Sequence, residues 1–325
     1  MQNERVSELR WHPLLREWVG VAAGRQHRPQ MPSDWCPFCP GSGRVPSQYE
    51  TLLYPNDFAA LGETYAPFDP VVLAEPGLFH STGARGSCDV VLYHSDHYMQ
   101  PARMGDAHWR KVIDLWCGRT AELFAKPEVG FVYVFENAGA AIGVTMPHPH
   151  GQIYAFPFVP PLVEREAAAA SEFFAAEKRC IYCGLLDEEL RAGVRIVFET
   201  PSFVAFVPFH ARWPGEVQIY PRRHFGTLLD LSEEERTDLA VAIKAMRMKY
   251  DNLWGFSIPL MMMVRQRPSH GDHPYFHFHV EFCPVQRSPD KIKYLAGVES
   301  GMGTFLNDTL AEEKAHELRG AEPRL

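Results

Sequence analysis

One arrangement of cysteine and histidine occurs twice along the chain, in the same order. The first copy runs Cys36-x-x-Cys39, then His97, then His148-Pro149-His150; the second runs Cys180-x-x-Cys183, then His224, then His277-Phe278-His279. The middle histidine precedes the H-x-H by 51 residues in the first copy and by 53 in the second. A repeat of this length predicts two similar halves, and the chain divides into residues 1–170 and 171–325.

The pattern between the motifs predicts antiparallel sheets with packed helices, an α+β class. Residues 131–137 and 152–156 read as strands, and residues 108–126 carry helical apolar spacing. In the second half RIVFE, FVAFVPF and EVQIYP read as strands. Ser232 and Glu235 form an S-x-x-E capping box ahead of a helix. FHFHVEF at 276–282 alternates strictly, with His277, His279 and Glu281 on one face and Phe276, Phe278, Val280 and Phe282 on the other. The Pro/Ala-rich segment around 157–170 is the expected junction.

Composition narrows the function. The formal charge is −8, from 32 basic and 40 acidic residues, with no long basic run; this argues against a nucleic-acid partner. No apolar stretch has the length of a signal peptide or a membrane span. Seven cysteines, four of them in C-x-x-C pairs, fit a reducing cytoplasmic setting and metal or redox chemistry rather than a disulfide framework.

The sharpest chemical feature is His148-Pro149-His150-Gly151-Gln152. Pro149 lacks a ladder donor, so its strand lies at an edge or ends there. Gly151 suggests close approach of backbone to a ligand. A neutral histidine can attack phosphorus directly, splitting one hard transfer into two easier ones. Gln152 can donate an amide hydrogen bond to a phosphate oxygen but has no acid proton to give a leaving group. That suits transfer to another phosphate rather than hydrolysis. Cys36, Cys39, His97 and His148 make a complete tetrahedral set for structural zinc. By the repeat, Cys180, Cys183, His224 and His277 make a second set. Glu281 stands where the first half has Gln152, and a carboxylate there repels a nucleotide phosphate, so one half is expected to be active and the other a scaffold.

HPHGQ, preceded by ENAGAAIG at 136–143, resembles the active-site segment of the galactose-1-phosphate uridylyltransferases, members of the histidine-triad superfamily. RQHRP at 25–29, CPFC at 36–39, PNDFAAL at 55–61, SDH at 95–97 and CGLLDEELRAG through YDNLWGF extend the resemblance along nearly the whole chain. It implies two histidine-triad-like repeats and a ping-pong transfer of UMP from UDP-glucose to galactose 1-phosphate, through a uridylyl group on His150. By the same resemblance Gln152 steadies the uridylylated phosphate, Asn56 and Asp57 hold uracil and ribose, and Arg25 and Arg28 bind phosphate. Asn137, Gly143 and Thr145 line the phosphate and ribose; Thr145 replaces the family's usual serine but keeps the hydroxyl. The resemblance implies the zinc site at Cys36, Cys39, His97 and His148. It also implies a different second site, iron or zinc, at Glu166, His270, His277 and His279. His277 cannot comfortably serve both second sets, and the sequence leaves the choice open.

KIKYLAGVE at 291–299 resembles a family segment that crosses a homodimer to a shared active site, which gives Lys293 to phosphate and Glu299 to a sugar hydroxyl. Phe305 stands near a family glutamine that contacts the hexose, which leaves the sugar range open. Two other readings remain open from sequence: a nucleotide phosphorylase of the same superfamily, and a non-catalytic nucleotide binder held by zinc.

Overall fold

The computed structural model describes residues 7–27, 35–63 and 77–322. The first half contains β1 (Glu8–His12), β2 (Glu17–Val21), β3 (Leu52–Pro55), β4 (Ser81–Gly83) and β5 (Ser87–Leu92). Helix α1 (Asp106–Phe124), β6 (Phe131–Ala138) and β7 (His150–Phe156) follow. Helices α2 (Pro161–Glu177) and α3 (Ile181–Ala192) lead into β8 (Ile196–Glu199), β9 (Phe203–Phe206) and β10 (Val217–Pro221). Then come α4 (Glu233–Trp254), β11 (Leu260–Arg265), β12 (His279–Pro284), β13 (Gln286–Ser288), β14 (Lys291–Ile292) and α5 (Ala311–Gly320).

Nine strands form one antiparallel sheet, in the order β3-β5-β7-β6-β11-β12-β10-β9-β8. The repeat explains the order. Read outward from the middle, the first half gives β6, β7, β5, β3 and the second gives β11, β12, β10, β9. The halves join where β6 meets β11, with Asn137 opposite Met261 and Phe135 opposite Met263. Both H-x-H motifs therefore end at the start of equivalent strands, β7 and β12.

Strand alternation gives the sheet two faces. On one face lie α1 and α4. Trp109, Val112, Ile113 and Trp116 of α1 and Leu239, Ile243, Met246 and Tyr250 of α4 are buried in one cluster with Val132, Val134, Ile153, Val264, Val280 and Phe282. Each such side chain contributes about 1.5–3 kcal/mol on burial. Helix α4 starts as its capping box predicts: the Ser232 hydroxyl accepts from Glu235 N at 3.2 Å, and the Glu235 carboxylate accepts from Ser232 N at 2.9 Å.

The opposite face is covered differently in the two halves, and this creates the site. In the second half, Ala170 of α2 and Tyr182 and Leu186 of α3 cluster with Val204, Phe206 and Tyr220. In the first half no helix takes that place among the described residues. Cys36, Phe38 and Tyr54 cluster there with Val90 and Leu92, and a cavity remains.

The structure sharpens three local expectations. The segment around 157–170 is the N-terminal part of α2 from Pro161 onward, since proline suits the first helical turn and alanines extend the helix. Of the two readings for Pro149, the strand end holds: β7 begins at His150 and sits between β5 and β6. In the second half the strand begins only at His279, so Phe278, Val280 and Phe282 join the main core while Phe276 packs with Phe131 and Val163.

Candidate active site and metal centres

The antiparallel pairing of β7 fixes what surrounds His150. Leu92 lies opposite His150, and Gln152 lies between Val90 and Phe135. His150 and Gln152 share the helix-free face, two residues apart. His150 Nδ1 is 2.7 Å from the carbonyl oxygen of His148. That contact is a hydrogen bond only if Nδ1 carries the proton, which puts the lone pair on Nε2.

Two cavities meet at His150. One, of about 400 Å³, is lined by Phe38, Tyr54, Asn56, Asp57, Thr145 and Gln152 together with His150. Its aromatic walls suit a planar base. Asn56 is set by its own turn, its Oδ1 accepting from Phe58 N at 2.9 Å. Asp57 is held by Arg44 Nη2 at 2.6 Å and the Tyr54 hydroxyl at 3.0 Å. Sequence reasoning missed Arg44; nothing in SGRVP distinguishes it, and only the fold brings it to Asp57. The other cavity, of about 510 Å³, is lined by Asn137, Gly139, Thr145, His148, His150 and Arg247. Gly143 lines neither; it stands at φ +77° in the loop between Asn137 and Thr145. Arg25 reaches Tyr154, on the same face of β7, at 3.5 Å. Arg28 lies outside the described residues. Lys293 and Glu299 pair with each other at 2.8 Å and line neither cavity of this chain.

Gly151 has a different reason from the one its sequence suggests. It faces the helix-covered side, where a Cβ would stand 2.2 Å from the Tyr93 hydroxyl and 3.1 Å from the Phe135 carbonyl. The close approach is to the core, not to a ligand. Gly151→Ala is expected to lose about 1–3 kcal/mol by overpacking. Tyr93→Phe should return part of that loss; thermal melts of the two single variants and the double variant test it.

The four residues of the first metal set come together. Ligand atoms of Cys36, Cys39, His97 and His148 all lie within 4.8 Å of one another. Cys39 Sγ is 3.4 Å from His97 Nδ1 and 3.8 Å from His148 Nδ1. A tetrahedral centre with about 2.3 Å to sulfur and about 2.0 Å to nitrogen spans such edges. His148 is fully buried, and its Nε2 lies 2.7 Å from the His94 carbonyl and 3.0 Å from the Tyr49 hydroxyl. That leaves Nδ1 as the ligand atom, and burial holds the ring neutral by lowering its pKa to about 4.

In the second half the geometry selects one of the two candidate sets. Cys180, Cys183, His224 and His277 have ligand atoms within 4.8 Å of one another, with Cys183 Sγ 3.4 Å from His224 Nδ1 and 3.5 Å from His277 Nδ1. The set of Glu166, His270, His277 and His279 does not assemble. His277 Nδ1 faces the cysteines, Glu166 and His279 line a separate cavity, and the His270 carbonyl is 2.8 Å from His273 Nε2. The two cysteines of α3 and its N-cap decide this, because they approach His277 from the side that the first half leaves to residues 35–63.

His279 repeats the geometry of His150, its Nδ1 lying 2.9 Å from the His277 carbonyl. Two residues on, however, Glu281 fills the face: Arg265 Nε donates to it at 2.7 Å, and His279 Nε2 is 3.6 Å away. Burial alone pushes the Glu281 carboxyl up, but Arg265 and His279 hold it down at about 2. A depressed carboxylate contributes stability that is full above about pH 4.5 and is lost as pH falls toward 2. Glu281→Gln is therefore expected to be destabilised at neutral pH, because it leaves Arg265 buried and unpaired. The gap to wild type should narrow below about pH 4.5, as urea midpoints across pH 7 to 3 will show.

Comparison with known proteins agrees along the chain. The family description "Galactose-1-phosphate uridyl transferase, N-terminal domain" matches residues 1–160, and its C-terminal domain counterpart matches residues 166–324. The chain is similar to galactose-1-phosphate uridylyltransferase of Thermotoga maritima, 41% identical over 98% of this chain and 99% of that one. It is 34% identical to the Rattus norvegicus protein of the same name, over 97% and 88%. A solved uridylyltransferase superposes with a TM-score of 0.87 at 32% identity, covering 97% and 98%. An ADP-glucose phosphorylase from Arabidopsis thaliana shares the fold, with a TM-score of 0.75 at 23% identity over 96% and 98%.

Proposed function

The chain belongs to the galactose-1-phosphate uridylyltransferase family, and we propose that it moves UMP from UDP-glucose to galactose 1-phosphate through His150. The activity is that of a nucleotidyltransferase. The observation that carries the mechanism is the position of His150 between two cavities, with Nδ1 directed to the His148 carbonyl. In-line displacement at phosphorus needs attacker and leaving group on opposite sides. Uridine fits the aromatic cavity beside Asn56 and Asp57, and the sugar phosphate fits the polar cavity beside Asn137 and Thr145.

Nε2 attacks the α-phosphorus, an N–P bond forms, and the P–O bond to glucose 1-phosphate breaks. The leaving phosphate carries the electron pair and needs no proton. Galactose 1-phosphate then attacks the same phosphorus through a phosphate oxygen, releasing neutral His150 and UDP-galactose. Gln152 donates to the phosphate through both half-reactions, and Arg25 and Arg28 balance its charge. Gly143 lets the loop deliver Thr145. The Cys36 group holds structural zinc, and the Cys180 group a second zinc, both being thiolate–imidazole sets. The 1–170 and 171–325 halves are histidine-triad-like, with the chemistry in the first.

A homodimer with shared sites fits the C-terminal arm. Tyr294, Leu295, Val298 and Met302 are exposed around the Lys293–Glu299 pair. Two N–H groups of Lys293 go to Glu299 and the Leu306 carbonyl, leaving the third for a partner's phosphate. Sedimentation is expected to show twice the chain mass; a monomer that transfers UMP at full rate would remove this part of the reading. Cytoplasmic residence is supported by seven cysteines with no disulfide and no helix among the described residues long and apolar enough to cross a membrane.

The test is covalent trapping. Protein incubated with UDP-glucose labelled at the α-phosphorus should carry acid-labile label, and galactose 1-phosphate should chase it into UDP-galactose. Label taken only from an adenylylated sugar would point to phosphorolysis instead.

A further inference from the structure

On the helix-covered face of the sheet, at the inner wall of the cavity of about 510 Å³ that Glu136 and Arg247 help to line, lies a buried polar group that the mechanism above does not use. Arg247 of α4 donates from Nη2 to Glu136 Oε1 of β6 at 2.8 Å, and the two side chains are 5% and 3% exposed. Arg247 Nη1 and Glu136 Oε2 are buried with no hydrogen-bond partner. The Tyr93 hydroxyl, buried in the same helix-covered core, likewise has no hydrogen-bond partner. The Tyr93 hydroxyl in turn sits against Gly151, 2.2 Å from where a Cβ would be.

Two features make this group more than core filling. As a source of stability, a buried ion pair does no better than apolar side chains of the same volume, because desolvation cancels most of the attraction. What it does supply is direction, since a charge-assisted hydrogen bond fixes distance and angle. The pair and Tyr93 also adjoin the backbone that carries the site. Glu136 immediately precedes Asn137. The β6–β7 register ends with Phe135 opposite Gln152, and just beyond it Asn137 and His150 both line the cavity of about 510 Å³. Tyr93 meets Gly151, which lies between His150 and Gln152. Arg247 belongs to the second half, so that half reaches the reaction centre through this group. Gly139 reinforces the link: a Cβ there would stand 2.8 Å from Pro259, in the turn that follows α4.

We propose that Arg247 and Glu136 are positioning residues, through which helix α4 of the second half sets the spacing of Asn137 and His150 on the sugar-phosphate side of the site. This rests on the functional reading above. Phe38, Tyr54, Asn56 and Asp57 line the nucleoside cavity alone, while Glu136 and Arg247 line only the other, so nucleoside affinity should not depend on the pair.

Two variants test the proposal. Glu136→Leu with Arg247→Met removes both charges together and leaves neither buried alone. Arg247→Lys keeps the charge but loses the planar fork. For each we would measure metal content, thermal midpoint, UMP affinity by calorimetry, and the rates of labelling by UDP-glucose and of chase by galactose 1-phosphate. The double variant is expected to keep its metal, its midpoint and its UMP affinity. Its chase should slow on the order of 10²-fold, the effect of misplacing reacting groups by about 1 Å, with a raised KM for galactose 1-phosphate. Arg247→Lys should fall between it and wild type. A chase rate per folded molecule equal to wild type, in either variant, would overturn the proposal. So would a loss that falls equally on UMP affinity and on chase, which is the mark of a merely structural pair. If wild type takes no label from UDP-glucose, it is the functional reading that fails, and calorimetry with UMP and galactose 1-phosphate still judges the pair.

Discussion

His150→Ala is expected to take up no label from UDP-glucose and to lose at least about 10⁴-fold in transfer rate, the scale seen when a nucleophile acting in a catalytic unit is removed. The fold should survive. His150 is only partly buried at the start of β7, its neighbours Leu92 and Phe38 belong to a satellite cluster, and its Nδ1 contact is to an adjacent backbone carbonyl. A melt close to wild type with no label would assign the loss to chemistry. His148→Ala makes the comparison sharper. It removes a fully buried ring from the first metal set, so it should lose label, metal and stability together. Full labelling of His150→Ala would mean that another side chain accepts UMP. His279 is then the first to examine, because it repeats the backbone contact of His150.

The two metal sets should answer differently to loss of one cysteine. Cys39→Ser is expected to remove metal from the first set. His148 then loses the metal that would fix its ring, and its carbonyl, which holds His150 Nδ1, is free to shift. Transfer should fall on the order of 10²-fold from misplacement of the nucleophile. Closed structural zinc sites contribute about 10–16 kcal/mol to the folding of small zinc modules; here the larger core limits the damage to residues 35–63. Cys183→Ser is expected to remove one metal equivalent from the other half and to leave transfer within about tenfold, because His277 positions His279, whose face is filled by Glu281 and Arg265. Metal analysis with single-turnover labelling separates the two. If Cys183→Ser were as inactive as Cys39→Ser, the second centre would be tied to the reaction as closely as the first.

Much of this molecule is legible in its sequence, because the relevant physics is local. The repeated C-x-x-C, His and H-x-H order announced two halves, alternation and helical spacing located the main strands and helices, and the capping box at Ser232 marked the start of α4 within a residue. HPHGQ set His150 and Gln152 on one face, since two residues apart on a strand they point the same way whatever the rest of the fold does, and both line one cavity. The tertiary structure decided what depends on distant segments meeting. His277 was claimed by two ligand sets, and only the approach of α3 gave it to Cys180, Cys183 and His224. Gly151 looked like a ligand contact; it is small because Tyr93, 58 positions earlier, lies against it. Arg44 and Arg247 carry no motif, and each gains its role from a carboxylate brought to it by strand pairing or helix packing. A sequence fixes which face of its own strand a residue takes, but the partner across that face is set by long-range contacts whose spacing leaves no periodic trace.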